Sequence, residues 1–280
     1  MRTGIIDTGG GLRGIFGAGV FDRLLSENII INDIYGVSAG AANAITYLGG
    51  QKGRTLRFYK DYAKRPEYMS LMNLIKTGSF VGLSYIYETL SNSDGEDPLN
   101  YAEIARFEGN FTTVVTDAAT GKAVYFDKAA YSRDNYKALM ASSCLPAVCR
   151  AVEIDKKEYF DGGVSDPIPV RKAFSDGCDR LILILTRPKD EFHNPSLDQK
   201  AARLIKKHYP ETAKALNERY NVYNKSLQAA LELEKEGKIL IIAPDSIKGL
   251  GTLTKDDKKL TALYNEGFGK AEKIIGFTEK

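Results

Sequence analysis

Twice between residues 4 and 50 the chain leaves a short apolar segment, crosses a glycine-rich turn and enters a helical stretch: GIID, TGGGLRG and IFGAGVFDRLL, then DIY, GVSAG and AANAITYLGG. A backbone that passes from strand to helix within so few residues needs positions without bulky side chains, and helices launched this way pack on the sheet that launches them. Two such units in succession commit the chain to an α/β architecture. In the first helix Ile15, Phe21, Leu24 and Leu25 fall toward the core, while Gly14, Gly17 and Gly19 allow close approach to the sheet.

The rest of the chain extends this pattern. FTTVVTD and the hairpin-like TGKAVYFD alternate as strands do; a helix follows near residues 136–142, then two short strands, AVEID and EYFD, around a tight turn. RLILILT and KILIIAP are continuous apolar runs, expected of strands buried on both faces of a mostly parallel sheet. Between them Ala213, Leu216, Tyr220, Tyr223, Leu227 and Ala230 mark one apolar face of a long covering helix. Residues 66–100 differ. Met69, Leu71, Met72, Leu74, Ile75, Phe80, Val81, Leu83, Tyr85, Ile86 and Leu90 crowd a segment broken by Gly78, Gly82 and a polar loop over 91–98, which reads as an inserted helical cap. Such an apolar concentration suits the wall of an acyl-chain channel, with Met72 and Phe80 in it, or plain core packing.

With 280 residues, one large domain is expected over 1–280. A net charge of +3 is too small for a protein that tracks nucleic-acid phosphates. No window approaches the roughly 20 apolar residues of a membrane-spanning helix, and Met1-Arg2-Thr3 runs into a strand rather than a signal peptide. The expectation is a cytoplasmic protein that meets membranes, if at all, peripherally. Cys144, Cys149 and Cys178 have neither CxxC spacing nor an even count, and read as reduced packing residues. His193 and His208 are the two histidines.

Gly36-Val37-Ser38-Ala39-Gly40 fits G-x-S-x-G at a strand-to-helix junction, where a sharp turn exposes the hydroxyl of Ser38. Taken alone, the pentapeptide fits a helix N-cap serine equally well. A nucleophilic serine needs donors for the oxyanion of its tetrahedral intermediate, and the glycine turn offers unshielded N–H groups at Gly10, Gly11 and Leu12 beside a helix N-terminus. Arg13 in the same turn reads as a positioner of that loop or of a lipid phosphate, or as a surface charge. The turn also satisfies G-x-G-x-x-G through Gly9, Gly11 and Gly14, with Asp33 at the distance of a ribose-binding acid. That dinucleotide reading leaves GVSAG and the later Asp161-Gly162-Gly163 unexplained. Asp161 is the candidate base, or the first residue of an Asp-Gly turn.

Together these pieces resemble the patatin-like phospholipases: Gly9 to Gly14 with Arg13 matches the family's oxyanion motif, Ser38 its elbow, Ala141-Ser142-Ser143-Cys144-Leu145-Pro146 its serine-rich segment and Asp161-Gly162-Gly163 its acid motif, in the family's order. The resemblance covers about 4–187, with a C-terminal extension at about 190–280. It implies a three-layer α/β/α fold and a lipid acyl hydrolase with a Ser38–Asp161 dyad, acting on glycerolipid or other carboxylic esters without metal or cofactor. A Ser38, Asp161, His208 triad is the enzymatic rival, although Ser38 comes early for it. A non-catalytic lipid-binding module on the same fold is the rival of another class. Lys200, Arg203 and Lys207 share a helical face that suits anionic headgroups or plain solvent.

The dyad and the triad differ on imidazole. For a dyad, the double variant His193→Ala, His208→Ala keeps kcat/KM for ester hydrolysis within about tenfold of the parent, whereas a triad loses roughly a thousandfold or more; steady-state kinetics on the folded variant separates them.

Overall fold

The structure, a computed structural model, describes residues 1–278. Eight strands form one sheet: β1 Thr3–Asp7, β2 Asp33–Val37, β3 Asn110–Asp117, β4 Ala123–Phe126, β5 Val152–Ile154, β6 Lys157–Asp161, β7 Arg180–Ile184 and β8 Ile239–Ile242. The helices are α1 Ile15–Ser26, α2 Ala39–Leu48, α3 Arg54–Lys60, α4 Leu71–Thr77, α5 Tyr101–Arg106, α6 Lys137–Ser142, α7 Val170–Ser175, α8 Ser196–Ile205, α9 Pro210–Lys235, α10 Asp257–Lys270 and α11 Glu272–Thr278.

Five strands run parallel in the order β3-β2-β1-β7-β8, and β4, β5 and β6 add antiparallel pairings at the β3 end. The apolar runs are buried on both faces because successive side chains point to opposite sides. Ile5, Ile34, Ile182, Ile184 and Ile242 join the core beneath α1, α2 and α10. Ile6, Tyr35, Leu181, Leu183 and Ile241 join that beneath α7 and α9. This is the three-layer α/β/α arrangement with a mostly parallel sheet.

The C-terminal part is no appendage. β8 extends the sheet beyond β7, α9 buries Leu216, Leu227 and Ala230, and α10 packs along α1. Lys207 lies past the end of α8, so the basic face expected with Lys200 and Arg203 is interrupted. The cap segment is split: Tyr68, Met69, Leu83, Ile86, Tyr87 and Leu90 are buried, whereas α4 buries nothing. All three cysteines are free and buried. Among the described residues no helix is long and apolar enough to cross a membrane.

One pairing detail controls the rest. Val37 of β2 pairs with Val114 of β3, and Asp161 of β6 pairs with the next residue, Val115. Since β4 occupies the opposite edge at both positions, the carboxyl ends of β2 and β6 meet head to head along one edge of β3. The turn after β1 nests into this junction: Gly9 has φ 64°, and a Cβ there would run into the Val37 carbonyl. Gly9→Ala adds both a left-handed strain and a steric clash, so urea unfolding should show a loss of about 2 kcal/mol or more.

Candidate active site

A buried carboxylate organises the glycine turn. Asp7, the last residue of β1, is fully buried; it accepts the Gly9 N–H at 2.9 Å and the Asn43 side-chain amide at 2.8 Å. The same Asn43 nitrogen donates to the Gly14 carbonyl at 2.8 Å, which ties both ends of the turn to β1 and α2. Burial pushes the Asp7 carboxyl up to about 6, against hydrogen bonds from Asn43 and Gly9 that favour its charge. The Gly9 carbonyl accepts the Thr186 hydroxyl. Among the described residues the Gly10 and Gly11 amides have no acceptor. The Leu12 amide does: it donates to the Thr252 carbonyl at 2.8 Å. Leu12 therefore leaves the donor set expected from sequence, because the β8–α10 connection already uses it.

The elbow is strained. Ser38 has φ 56° and ψ −130°, a conformation that costs free energy for any residue with a Cβ and persists only when its surroundings impose it. Its amide donates to Ser142 Oγ at 2.8 Å, and the Ser142 hydroxyl donates to the Val114 carbonyl at 2.7 Å. Ser142, from the serine-rich segment, thus clamps the elbow to β3. The Ser38 side chain makes no capping bond to α2, so the plain N-cap reading does not hold.

Asp161 lies across the junction and is buried. Its Oδ1 accepts the Gly163 N–H at 2.7 Å, and its Oδ2 is enclosed without a hydrogen-bond partner. Gly162 has no side chain because a Cβ there would strike the Val114 carbonyl. Burial raises the Asp161 carboxyl above its ordinary range; Arg219, the Ser38 hydroxyl and the Gly163 amide pull it down.

Arg219 was not singled out from sequence. It projects from α9, donates to Asp198 Oδ1 at 3.1 Å and keeps a buried Nε without a partner. Asp198 Oδ2 pairs with His193 Nε2 at 2.8 Å. The available signal was a cation flanking the apolar stripe of Leu216, Tyr220 and Tyr223. Asp7 was equally missed; an acid closing an apolar strand directly before consecutive glycines was its mark.

Other expectations change. Arg13 is buried rather than a surface charge, its Nε has no partner, and burial with the neighbouring Arg187 lowers its pKa to about 10. Asp33 stands at the amino end of β2, held by Arg2 at 2.5 Å and Asn110 at 2.8 Å. A ribose-binding acid belongs at the carboxyl ends of the strands, so the dinucleotide reading fails. His208 is exposed, and neither histidine lines the cavity that opens from Ser38. That cavity is walled by apolar side chains, among them Phe58, Met69, Val81, Leu83, Ile86 and Leu139, with Gly11 and Leu12 at the serine end. Met72 and Phe80 are outside its wall, Met72 being exposed.

Residues 8–174 match the family model described as Patatin-like phospholipase, and residues 209–276 match a Domain of unknown function (DUF6363). The chain is 27% identical over 219 residues to the uncharacterized protein YjjU of Escherichia coli (strain K12), covering 73% of this chain and 57% of that protein. It is 25% identical over 175 residues to an uncharacterized NTE family protein of Mycobacterium bovis, covering 62% and 46% respectively. The chain thus spans about half the length of these curated relatives. VipD from Legionella pneumophila superposes with a TM-score of 0.51 over 98% of this chain and 67% of that one, at 12% identity, a likeness of fold.

The Arg219 contact yields a direct test. Arg219→Met removes a cation that favours ionised Asp161, so the Asp161 carboxyl should titrate at a higher pH than in the parent, with Arg219→Lys in between. Carboxyl 13C NMR reads this, and an unmoved midpoint would exclude the contact.

Proposed function

Because the chain belongs to the patatin-like phospholipase family, we propose that it is a lipid acyl hydrolase in which Ser38 is the nucleophile and Asp161 its base. The observation that supports this reading above all is the junction of β2 and β6, which sets a strained serine opposite a carboxylate whose Oδ2 has no other partner. The apolar cavity beside Ser38 is suited to an acyl chain.

In this mechanism Ser38 Oγ attacks the ester carbonyl carbon while its proton passes to Asp161 Oδ2. The N–H groups of Gly10 and Gly11 hold the oxyanion, with the α1 end of the turn adding a favourable dipole. Collapse expels the alcohol, which takes the proton from Asp161 and leaves an acyl-serine. Water then attacks the acyl carbon, gives its proton to Asp161, and Ser38 recovers a proton as the carboxylic acid departs. A carboxylate can act here because burial raises its proton affinity. Arg13, buried beside Gly10 with no ion pair among the described residues, supports an anionic headgroup such as a phosphate.

Ser38→Ala should abolish hydrolysis and fluorophosphonate labelling with little change in Tm; residual turnover above a few per cent would contradict the assignment. Asp161→Asn preserves shape but accepts no proton, and should lower kcat/KM by about a hundredfold or more.

The pH dependence follows from the raised Asp161 pKa. The reacting form is the carboxylate, so kcat/KM should rise with pH along one acid limb whose midpoint lies above the ordinary aspartate range, then level off. A limb at the ordinary range would place the base outside the buried junction.

A further inference from the structure

We propose that α4 (Leu71–Thr77) is a membrane-docking element that seats the chain on a bilayer surface containing anionic lipid. Ten large apolar side chains are strongly exposed among the described residues, and four of them, Leu71, Met72, Leu74 and Ile75, belong to this one helix of seven. No residue of the helix is buried. A short surface helix ordinarily turns its apolar side chains inward. Here the orientation is reversed. Asn73 Nδ2 donates back to the Pro66 and Glu67 carbonyls at 3.1 and 2.9 Å, and Thr77 Oγ1 donates to the Asn73 carbonyl at 2.8 Å. Half-buried Asn73 is held against the protein, and Leu71, Met72, Leu74 and Ile75 face out with Lys76 and Thr77.

The helix is anchored firmly. Ser70 caps it, Met69 and Val81 form a β-bridge at its base, Ser70 N–H donates to Phe80 O at 3.1 Å, and Phe80 N–H donates to Val148 O at 2.8 Å. Met69 and Val81 also line the apolar cavity, so the base of the helix is part of the cavity wall. Two exposed cations flank the patch: Lys76 in the helix, and Arg150, whose guanidinium packs on Gly78. Neither has an ion-pair partner among the described residues.

These features select the partner. A stable protein interface uses roughly 20–30 residues a side, well beyond one helix of this length, and a two-fold contact would bring the same cations together. A bilayer asks for no matching shape: apolar side chains enter the acyl boundary while basic ones meet anionic headgroups.

The inference deepens the lipid-hydrolase reading, but vesicle binding can be measured without turnover. In the Ser38→Ala background, flotation with vesicles of phosphatidylcholine and phosphatidylglycerol should carry the protein upward. Leu71→Ser with Ile75→Ser should weaken that binding at least about tenfold. Lys76→Gln with Arg150→Gln should abolish the preference over phosphatidylcholine alone, which also guards against misfolding of the first pair. With Ser38 present, both pairs should hydrolyse soluble p-nitrophenyl butyrate like the parent. Unchanged flotation of the serine pair overturns the proposal, as does a parent that ignores vesicles, including one that elutes as a dimer which the serine pair makes monomeric. Intact flotation with no ester turnover by the parent would count against the catalytic reading and leave the docking element standing.

Discussion

The site depends on two strand ends meeting on one edge of β3. Val37 and Asp161 pair with the adjacent residues Val114 and Val115, one from a parallel strand and one from an antiparallel strand. A parallel and an antiparallel partner can run toward each other along one edge, each with its own hydrogen-bond ladder. Where they do, each chain must leave the sheet at the same point. β2 leaves through Ser38 and β6 through Gly162, and this shared exit brings hydroxyl and carboxylate together. Ser142 secures the junction by bridging the Ser38 amide to the Val114 carbonyl.

Two buried carboxylates serve this junction differently. Asp7 spends both oxygens on Gly9 and Asn43 and holds the glycine turn in a shape that leaves the Gly10 and Gly11 amides free. Asp161 spends one oxygen on Gly163 and keeps the other unsatisfied. An unsatisfied buried acceptor is costly, and such groups recur where a structure is arranged for chemistry rather than for stability. Arg219 moderates that cost without closing a hydrogen bond on the free oxygen.

The C-terminal part of the chain completes the same region. α9 delivers Arg219, the β8–α10 connection delivers the Thr252 carbonyl to Leu12, and β8 widens the sheet that carries both. The segment that matches a domain of unknown function is built into the site's support. The match to the patatin-like model ends at residue 174; the sheet does not stop with it, since β7 and β8 lie beyond.

The two strand, turn and helix units, the doubly buried strands and the order of Gly9 to Gly14, Ser38, Ser142 and Asp161 were legible because each depends on local rules: small residues at sharp turns, alternation in strands, helical spacing on α9. Local rules do not carry register. Whether Asp161 would face Ser38, or Asp33 sit at the far end of its strand, followed from which residues of β3 each strand pairs with. The same holds for exposure. The apolar residues of 66–100 read alike along the chain, yet Met69 and Leu83 turn inward while Leu71 and Ile75 turn out, because the hairpin that carries α4 is pinned to the 144–150 segment, far away in sequence. Arg13 and the Leu12 amide took their roles from neighbours more than a hundred residues distant in the chain, and Arg219 took its role from Asp161, on a separate element. Composition and spacing determined which turns could hold a hydroxyl, a carboxylate and free amides; only packing decided which of them meet, since a side chain's charge and hydrogen bonds depend on what surrounds it in space.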